Sequence, residues 1–198
     1  DLKLDREIAI KMLKEEYSTD KEFIERFKNE ARAAARLSHS NIVAAYDIVN
    51  SGDMHYIVME LVEGITLRDY IARKGRLSNK ETIGIAMQAA EGLGEAHRNG
   101  IIHRDIKSQN IIISKEGRIK IGDFGIAKRV STDSSGQPVI GSAHYMAPEQ
   151  ALSGEADARS DLYSLGISMY EMITGRLPYQ GEDAGNVIMA HMQDAMVP

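Results

Sequence analysis

The stretch IIHRDIKSQNIIIS, residues 101–114, is the part of this chain whose reading decides the fold. Ile101 and Ile102 open it, and Ile111, Ile112 and Ile113 nearly close it. Between them, His103 to Asn110 carry two cations, a carboxylate, a histidine and two side-chain amides. Short apolar runs bounded by polar residues read as buried strands. So dense a polar cluster between two of them is either a solvated turn or a loop with chemistry to perform.

The bulk numbers narrow the choice. At 198 residues the chain is long enough for one sizeable core or two small lobes. Its 43% hydrophobic and 27% charged content is that of an ordinary globular protein. The net charge of −5 argues against nucleic acid as the main partner. There is no cysteine, which excludes disulfides, thiolate metal sites and cysteine nucleophiles. No apolar run approaches the ~20 residues of a membrane span, so no membrane contact is expected of this segment. No signal peptide is visible. The chain opens on Asp1 and closes on HMQDAMVP, and reads as a fragment of something longer.

Outward from the cluster, EIAIKML (7–13) favours a strand. Ser18, Thr19 or Asp20 can cap the following helix, whose residues Phe23, Phe27, Ala31 and Ala34 recur at helical spacing with Glu30 beside them. NIVAAYDIV (41–49) and HYIVMELV (55–62) read as strands joined by a turn at NSGD. EGITLRDYIARKG (63–75) looks like a short helix ended by Gly75. Ser78 and Glu81 form a capping box for a helix with Ile83, Met87, Ala90 and Leu93 as its expected buried stripe, ended at Gly100. Short strands flank SKEGR (114–118), and residues 126–144 lack periodicity, the mark of a long functional loop. SDLYSLGISMYEMITG (160–175) is a largely buried helix, capped by Ser160 and closed by Gly175. Strands with one helix, then mostly helices, predict a two-lobed α+β protein with its junction near Glu60–Gly64.

Within the cluster, Asp105 and Asn110 lie five residues apart, and Asp123 sits on the next turn, in GDFG. An amide oxygen and carboxylates aimed at one point suit a hard cation such as Mg²⁺, which shares its ligands with phosphates. Lys107 beside a phosphoryl group would offset its charge, leaving Asp105 to accept a proton from an alcohol. Each residue also has a plain structural reading. A loop Asp forms turns, Lys107 is a solvated charge, Lys11 points outward between Ile10 and Met12, Glu30 is the wet edge of a helix, and Phe124 is core.

Taken together these residues resemble the eukaryotic-like protein serine/threonine kinases. HRDIKSQN resembles their catalytic loop, DFG (123–125) their metal-binding triplet, and IAIK (8–11) their strand lysine; APE (147–149) and DLYSLG (161–166) follow in matching order. The stretches FIERFKNEARAAARLSHSNIV, YIVMELVEGITLRDYI and GIIHRDIKSQNIIIS look like the bacterial, membrane-anchored PASTA-repeat kinases.

The resemblance implies transfer of the ATP γ-phosphoryl group to Ser or Thr hydroxyls of protein substrates. Asp105 is then the base, Lys107 the charge neutraliser, and Asn110 and Asp123 the ligands of Mg²⁺, with Mn²⁺ as an alternative. Lys11 contacts the phosphates and pairs with Glu30, and breaking that pair disarms the site. Met59 is the gatekeeper, Glu60 and Val62 bond the adenine edge, and Ala9 and Ile112 sandwich its ring. Ser142 touches the catalytic Asp and Lys. Arg104, joined by Lys128, awaits a phosphate on Ser131, Thr132, Ser134 or Ser135. Phe124, Gly125, Glu149 and Asp161 are structural, with Asp161 holding the catalytic loop from below and His103 packed inward against Phe124. The implied parts are a partial N-lobe (1–59), a hinge (60–64) and a partial C-lobe (65–198). The domain would be cytoplasmic, in a parent protein anchored by a single membrane pass and open to an N-lobe homodimer.

The sequence also departs from the pattern. It contains no G-x-G-x-x-G, and the last C-lobe helices are expected to be missing, with the Arg partner of Glu149 among them. Ser108 stands where the family usually has Pro, a change expected to matter little. A piece so trimmed is expected to be poorly stable and nearly inactive on its own. The rival readings are a pseudokinase or ATP-binding signalling module on the same fold, and a small-molecule kinase, which would lack APE and DLYSLG.

Overall fold

The structure is a computed structural model that describes residues 1, 5–13, 15–18, 20–51, 54–124 and 140–193, apart from the side chains of Glu16, Arg26, Glu30 and Ile140. Two small antiparallel sheets, seven α-helices and two 3-10 turns make up the regular structure of the described residues. The first sheet has strands β1 (Ile8–Met12), β2 (Ala45–Ser51) and β3 (Met54–Glu60), in the order β1-β3-β2. Helix α1 (Lys21–Ala34) precedes β2 and is capped by Asp20, whose carboxylate accepts the Glu22 and Phe23 N–H groups. Phe27 and Ala31 of α1 pack with Ile57 of β3 in a small core. Phe23, expected in that stripe, is 39% exposed and stacks on Tyr17 instead.

The second sheet corrects two expectations: of the apolar runs flanking the polar cluster, only Ile111–Ile113 is strand, Ile101 and Ile102 being in none. Residues 63–75 are not all helix: β4 (Gly64–Thr66) pairs with β5 (Ile111–Ser114), which pairs with β6 (Ile119–Ile121). Gly64 is needed there, because a Cβ at that position would lie 2.1 Å from the Ile113 carbonyl oxygen. Thr66 ends the strand and caps α2 (Leu67–Lys74), its hydroxyl accepting the Asp69 N–H. Residues 41–43 join the two sheets. Ile121 N–H donates to the Asn41 carbonyl and Val43 N–H to the Ile121 carbonyl, each at 2.9 Å.

Helix α3 (Asn79–Arg98) starts at the Ser78–Glu81 capping box. Its buried face, however, is Thr82, Ile85, Ala86, Ala89, Gly92, Leu93 and Ala96. Ile83 and Met87 are more than half exposed and Ala90 faces outward, so of the expected stripe only Leu93 is core. The cause is close packing. A Cβ on Gly92 would meet the Asn41 carbonyl oxygen at 2.9 Å and the Asn41 Cβ at 3.3 Å, so the buried face is the one that carries Gly92 and the small residues Ala86, Ala89 and Ala96, with Ile85 and Leu93 beside them.

The remaining helices are α4 (Ile140–Ala143), α5 (Pro148–Ser153), α6 (Ala158–Thr174) and α7 (Ala184–Gln193). Asp157 rather than Ser160 is the N-cap of α6, and Ser160 completes its capping box. Gly175 closes the helix at φ 76°. The main core gathers α2, α3, β5, β6, Phe124 and α6 around Leu67, Leu93, Ile106 and Met172.

Gly92→Ala should cost about 1–3 kcal/mol by overpacking. Gly84→Ala, which meets open space, should be neutral or stabilising by up to about 1 kcal/mol. Urea unfolding of both variants checks this. Equal stabilities would rule out the close approach at Gly92.

Candidate active site

The site is built on one buried carboxylate. Asp161, in the first turn of α6, is 1% exposed. It accepts the His103 N–H at 2.9 Å, the Arg104 N–H at 2.8 Å and the His97 Nε2–H at 2.7 Å. Two consecutive amides aimed at one carboxylate require a tight bend, and Arg104 takes it at φ 68°. Gln150 donates to the carbonyl of the same residue at 3.0 Å.

That bend seats His103, which is fully buried. Its Nε2–H donates to the Gly122 carbonyl at 3.0 Å, its Nδ1 accepts the Asp105 N–H at 3.2 Å, and the ring lies 4.6 Å from that of Phe124. Burial pushes the His103 pKa down, which keeps the ring in the neutral form these two bonds need. One imidazole thus fixes the 103–105 backbone against the 122–124 turn. Asp123 follows in that turn at φ 54°. Among non-glycine residues, its positive φ and that of Arg104 are concentrated at this site, with Asp5 the other such residue among those described.

Lys107 and Asn110 both bond the carboxylate of Asp105, itself 7% exposed. Lys107 Nζ lies 2.9 Å from Asp105 Oδ2 and donates to Ser142 Oγ at 3.1 Å. Asn110 Nδ2 donates to the Asp105 carbonyl at 2.8 Å and to its carboxylate at 3.0 Å. The Asn110 amide therefore spends its donors on Asp105 and presents Oδ1 as the atom able to take a cation. Lys11, on β1, donates to Asp123 Oδ1 at 3.0 Å, with both side chains partly open to solvent. This contact was not foreseen: the lysine on the strand meets the carboxylate expected to hold metal.

Asn110 and Asp123 offer one amide oxygen and one carboxylate. No group of three or more His, Asp or Glu able to hold a metal occurs among the described residues. A donor set so small fits a cation that keeps water and phosphate oxygens as its other ligands, the habit of Mg²⁺.

The residues expected around adenine are spread over both sheets. Ala9 and Met59 are cross-strand partners, Glu60 ends β3, Val62 follows in the connection to β4, and Ile112 lies on β5. The Glu60 carboxylate is tied behind the connection: it pairs with Lys120 at 2.8 Å and accepts the Ala44 N–H at 3.1 Å. Lys120 was missed in the sequence, although an alternating strand with one basic residue facing a carboxylate-ended strand is a readable signal.

Other expectations are placed as follows. Phe124 is 3% exposed, in the core. Glu149 accepts a hydrogen bond from Ser160 Oγ. The Arg104 guanidinium has no ion-pair or hydrogen-bond partner among the described residues. The Glu30 side chain, Gly125, Lys128, Ser131, Thr132, Ser134 and Ser135 lie outside what the structure describes. Missed altogether was a buried polar chain: Tyr145 O–H donates to Glu171 at 2.6 Å and lies 2.9 Å from Ser108 Oγ.

His191 on α7 is also buried, which pushes its pKa down to about 4. His103 and His191 are thus neutral when folded but titrate near 6.5 when unfolded. The unfolded chain then binds about two more protons as pH falls below about 6.5, so this part of the stability is full above that pH and is lost on acidification. Denaturant unfolding at pH 7, 6 and 5 should show a steady decline. Stability that held level or rose toward pH 5 would contradict the buried neutral rings.

Comparison with known proteins agrees with this geometry. The protein kinase domain family matches residues 2–197. The chain is 48% identical over 195 residues to the serine/threonine-protein kinase PrkC of Bacillus subtilis, covering 98% of this chain and 30% of that protein. It is 48% identical over 198 residues to a probable serine/threonine-protein kinase of Clostridium perfringens (99% of this chain, 29% of that protein). It is 40% identical over 200 residues to the serine/threonine-protein kinase PknL of Mycobacterium tuberculosis (100% of this chain, 50% of that protein). The chain thus spans between about a third and a half of the length of these relatives. It belongs to the protein kinase domain family, among the bacterial serine/threonine kinases of eukaryotic type.

Proposed function

We propose that this chain carries the catalytic machinery of an ATP-dependent kinase acting on Ser and Thr hydroxyls of proteins. The observation that supports it most is the chain of bonds Ser142–Lys107–Asp105–Asn110, with Asp123 and Lys11 paired at its edge. The Asp105 carboxylate orients the acceptor hydroxyl and takes its proton as the oxygen bonds to the γ-phosphorus. The bond to the β–γ bridging oxygen breaks, and ADP leaves with that electron pair. Lys107 offsets charge on the transferring group, and Lys11 holds the α- and β-phosphates. Mg²⁺, held by Asn110 and Asp123, would supply charge neutralisation between the phosphates. In this reading Glu60 and Val62 present backbone groups to the adenine edge, Met59 stands behind it, and Ala9 and Ile112 close over its faces.

The same reading assigns residues 1–59 to an N-lobe, 60–64 to a hinge and 65–198 to a C-lobe, with the cleft between them. The Glu30 carboxylate is the partner proposed for Lys11. Arg104, with Lys128, is proposed to receive a phosphate on the segment containing Ser131, Thr132, Ser134 and Ser135. The domain is proposed to work in the cytoplasm, where ATP is supplied. No helix among the described residues is long and apolar enough to cross a membrane.

Transfer from γ-labelled ATP to a Ser/Thr peptide by the whole protein tests the proposal. Asp105→Asn should lower kcat by roughly 10²–10⁴-fold. Asp123→Asn should abolish the response to added Mg²⁺. Wild-type rates in either variant, or label found on tyrosine alone, would sink it. Lys120→Met leaves the Glu60 carboxylate half-buried without its cation. It should raise KM for ATP by roughly three- to tenfold at little change in kcat. An unchanged KM would remove Lys120 from hinge support.

A further inference from the structure

Ser108 occupies a position whose backbone does not ask for serine. It opens a 3-10 turn, Ser108–Asn110, and Lys107 before it is fully extended, at φ −164° and ψ 162°. An extended preceding residue and a first helical position are what proline requires. The Ser108 N–H has no hydrogen-bond acceptor among the described residues, so proline would forfeit no backbone bond there. What serine adds is its hydroxyl, and that hydroxyl is used.

Ser108 is 0% exposed and its Oγ lies 2.9 Å from Tyr145 Oη. The direction of the bond follows from the next member. Tyr145 O–H donates to Glu171 Oε2 at 2.6 Å, because a carboxylate can only accept. The Tyr145 oxygen is then an acceptor toward Ser108, whose O–H donates to it. Gln109 Oε1, the other acceptor in reach, is 3.5 Å away, at the limit of a hydrogen bond. Tyr145 is 3% and Glu171 8% exposed, so the chain Ser108–Tyr145–Glu171 runs through the interior, where successive bonds strengthen one another.

Tyr145 also accepts at its carbonyl from Ser164 Oγ, at 2.7 Å. Lys107, the neighbour of Ser108, holds Ser142 three residues before Tyr145. Two consecutive residues of the catalytic loop therefore grip the same segment at two points. We propose that Ser108 is a positioning residue that ties the 142–147 segment to the catalytic loop and so sets where a protein substrate presents its hydroxyl to Asp105. The proposal rests on the kinase reading above. It stands against the expectation that serine in place of proline matters little.

The test compares Ser108→Pro, Tyr145→Phe and the double variant in the whole protein. Ser108→Pro keeps the backbone and removes only the hydroxyl. It should raise KM for a Ser/Thr peptide by roughly three- to tenfold, with KM for ATP unchanged and the thermal midpoint unchanged or higher. In the double variant the Ser108→Pro effect should vanish, because its partner oxygen is already gone. A wild-type peptide KM in Ser108→Pro, or effects of the two substitutions that simply multiply, would overturn the proposal. Amide hydrogen exchange of residues 140–147 should quicken in Ser108→Pro, a readout that needs no turnover. Unchanged exchange would overturn the proposal as well. Wild-type protein that transfers no phosphate to any peptide would count against the kinase reading instead, and the exchange measurement would then decide on Ser108 alone.

Discussion

The Asp161 carboxylate is the interaction on which the rest of this structure depends. A buried charge is costly unless it is fully hydrogen-bonded. Here two backbone amides and an imidazole N–H satisfy it. In return it holds Arg104 in a left-handed conformation that a residue with a Cβ adopts at a cost of order 1–3 kcal/mol. The bend at Arg104 turns the His103 ring under the Gly122 carbonyl and aims Asp105 toward Lys107 and Asn110. Asp105 and Asp123 are thus placed relative to each other through His103, with no direct bond between them.

Asp161 is one member of a longer pattern on α6. Asp161, Ser164, Ser168 and Glu171 are all buried and lie three, four and three residues apart. That spacing puts them on one face of the helix. Ser164 bonds the Tyr145 carbonyl and Glu171 the Tyr145 hydroxyl, while Ser168 bonds back to the Ser164 carbonyl. A helix that is apolar on most of its surface therefore carries an internal polar stripe. Along that stripe the loops bearing Asp105 and Tyr145 are hung from one rigid element, which keeps Asp105 and the segment beside it in fixed register.

Much of this was legible. Alternation marked β1 and β3, the Ser78–Glu81 box marked the start of α3, and glycines marked the ends of α2, α3 and α6. The order of polar clusters marked the site. What failed has physical causes. Helix α3 was read by a stripe through Ile83 and Met87, but the close approach of residue 41 at Gly92 turns inward the face that carries Ile85, Ala86, Ala89, Gly92, Leu93 and Ala96. Strand β4 was hidden because three residues are too few for a period to show. His103 was read as packing only, since nothing local reveals that its two ring nitrogens bind different loops. The α6 stripe was readable in principle: a helix face that is buried, with polar residues at 161, 164, 168 and 171, must supply each with a partner. Asking for those partners would have pointed to the 103–104 backbone and to Tyr145.

The links between the two sheets are graded in strength. Near residue 60 they are buried or backbone-made: the amide pairs joining residues 41–43 to Ile121, and the Glu60–Lys120 pair with side chains 24% and 15% exposed. At the far end, Lys11 meets Asp123 with side chains 33% and 53% exposed, where water screens the attraction and holding two long side chains in place offsets much of what remains. Moving the sheets apart would thus cost little at the Lys11–Asp123 pair and considerably more at the Glu60–Lys120 pair. The catalytic loop, held from below by Asp161, would not need to change. An arrangement of this kind keeps Asp105 and Asn110 in place and makes the Lys11–Asp123 pair the more adjustable contact between the sheets.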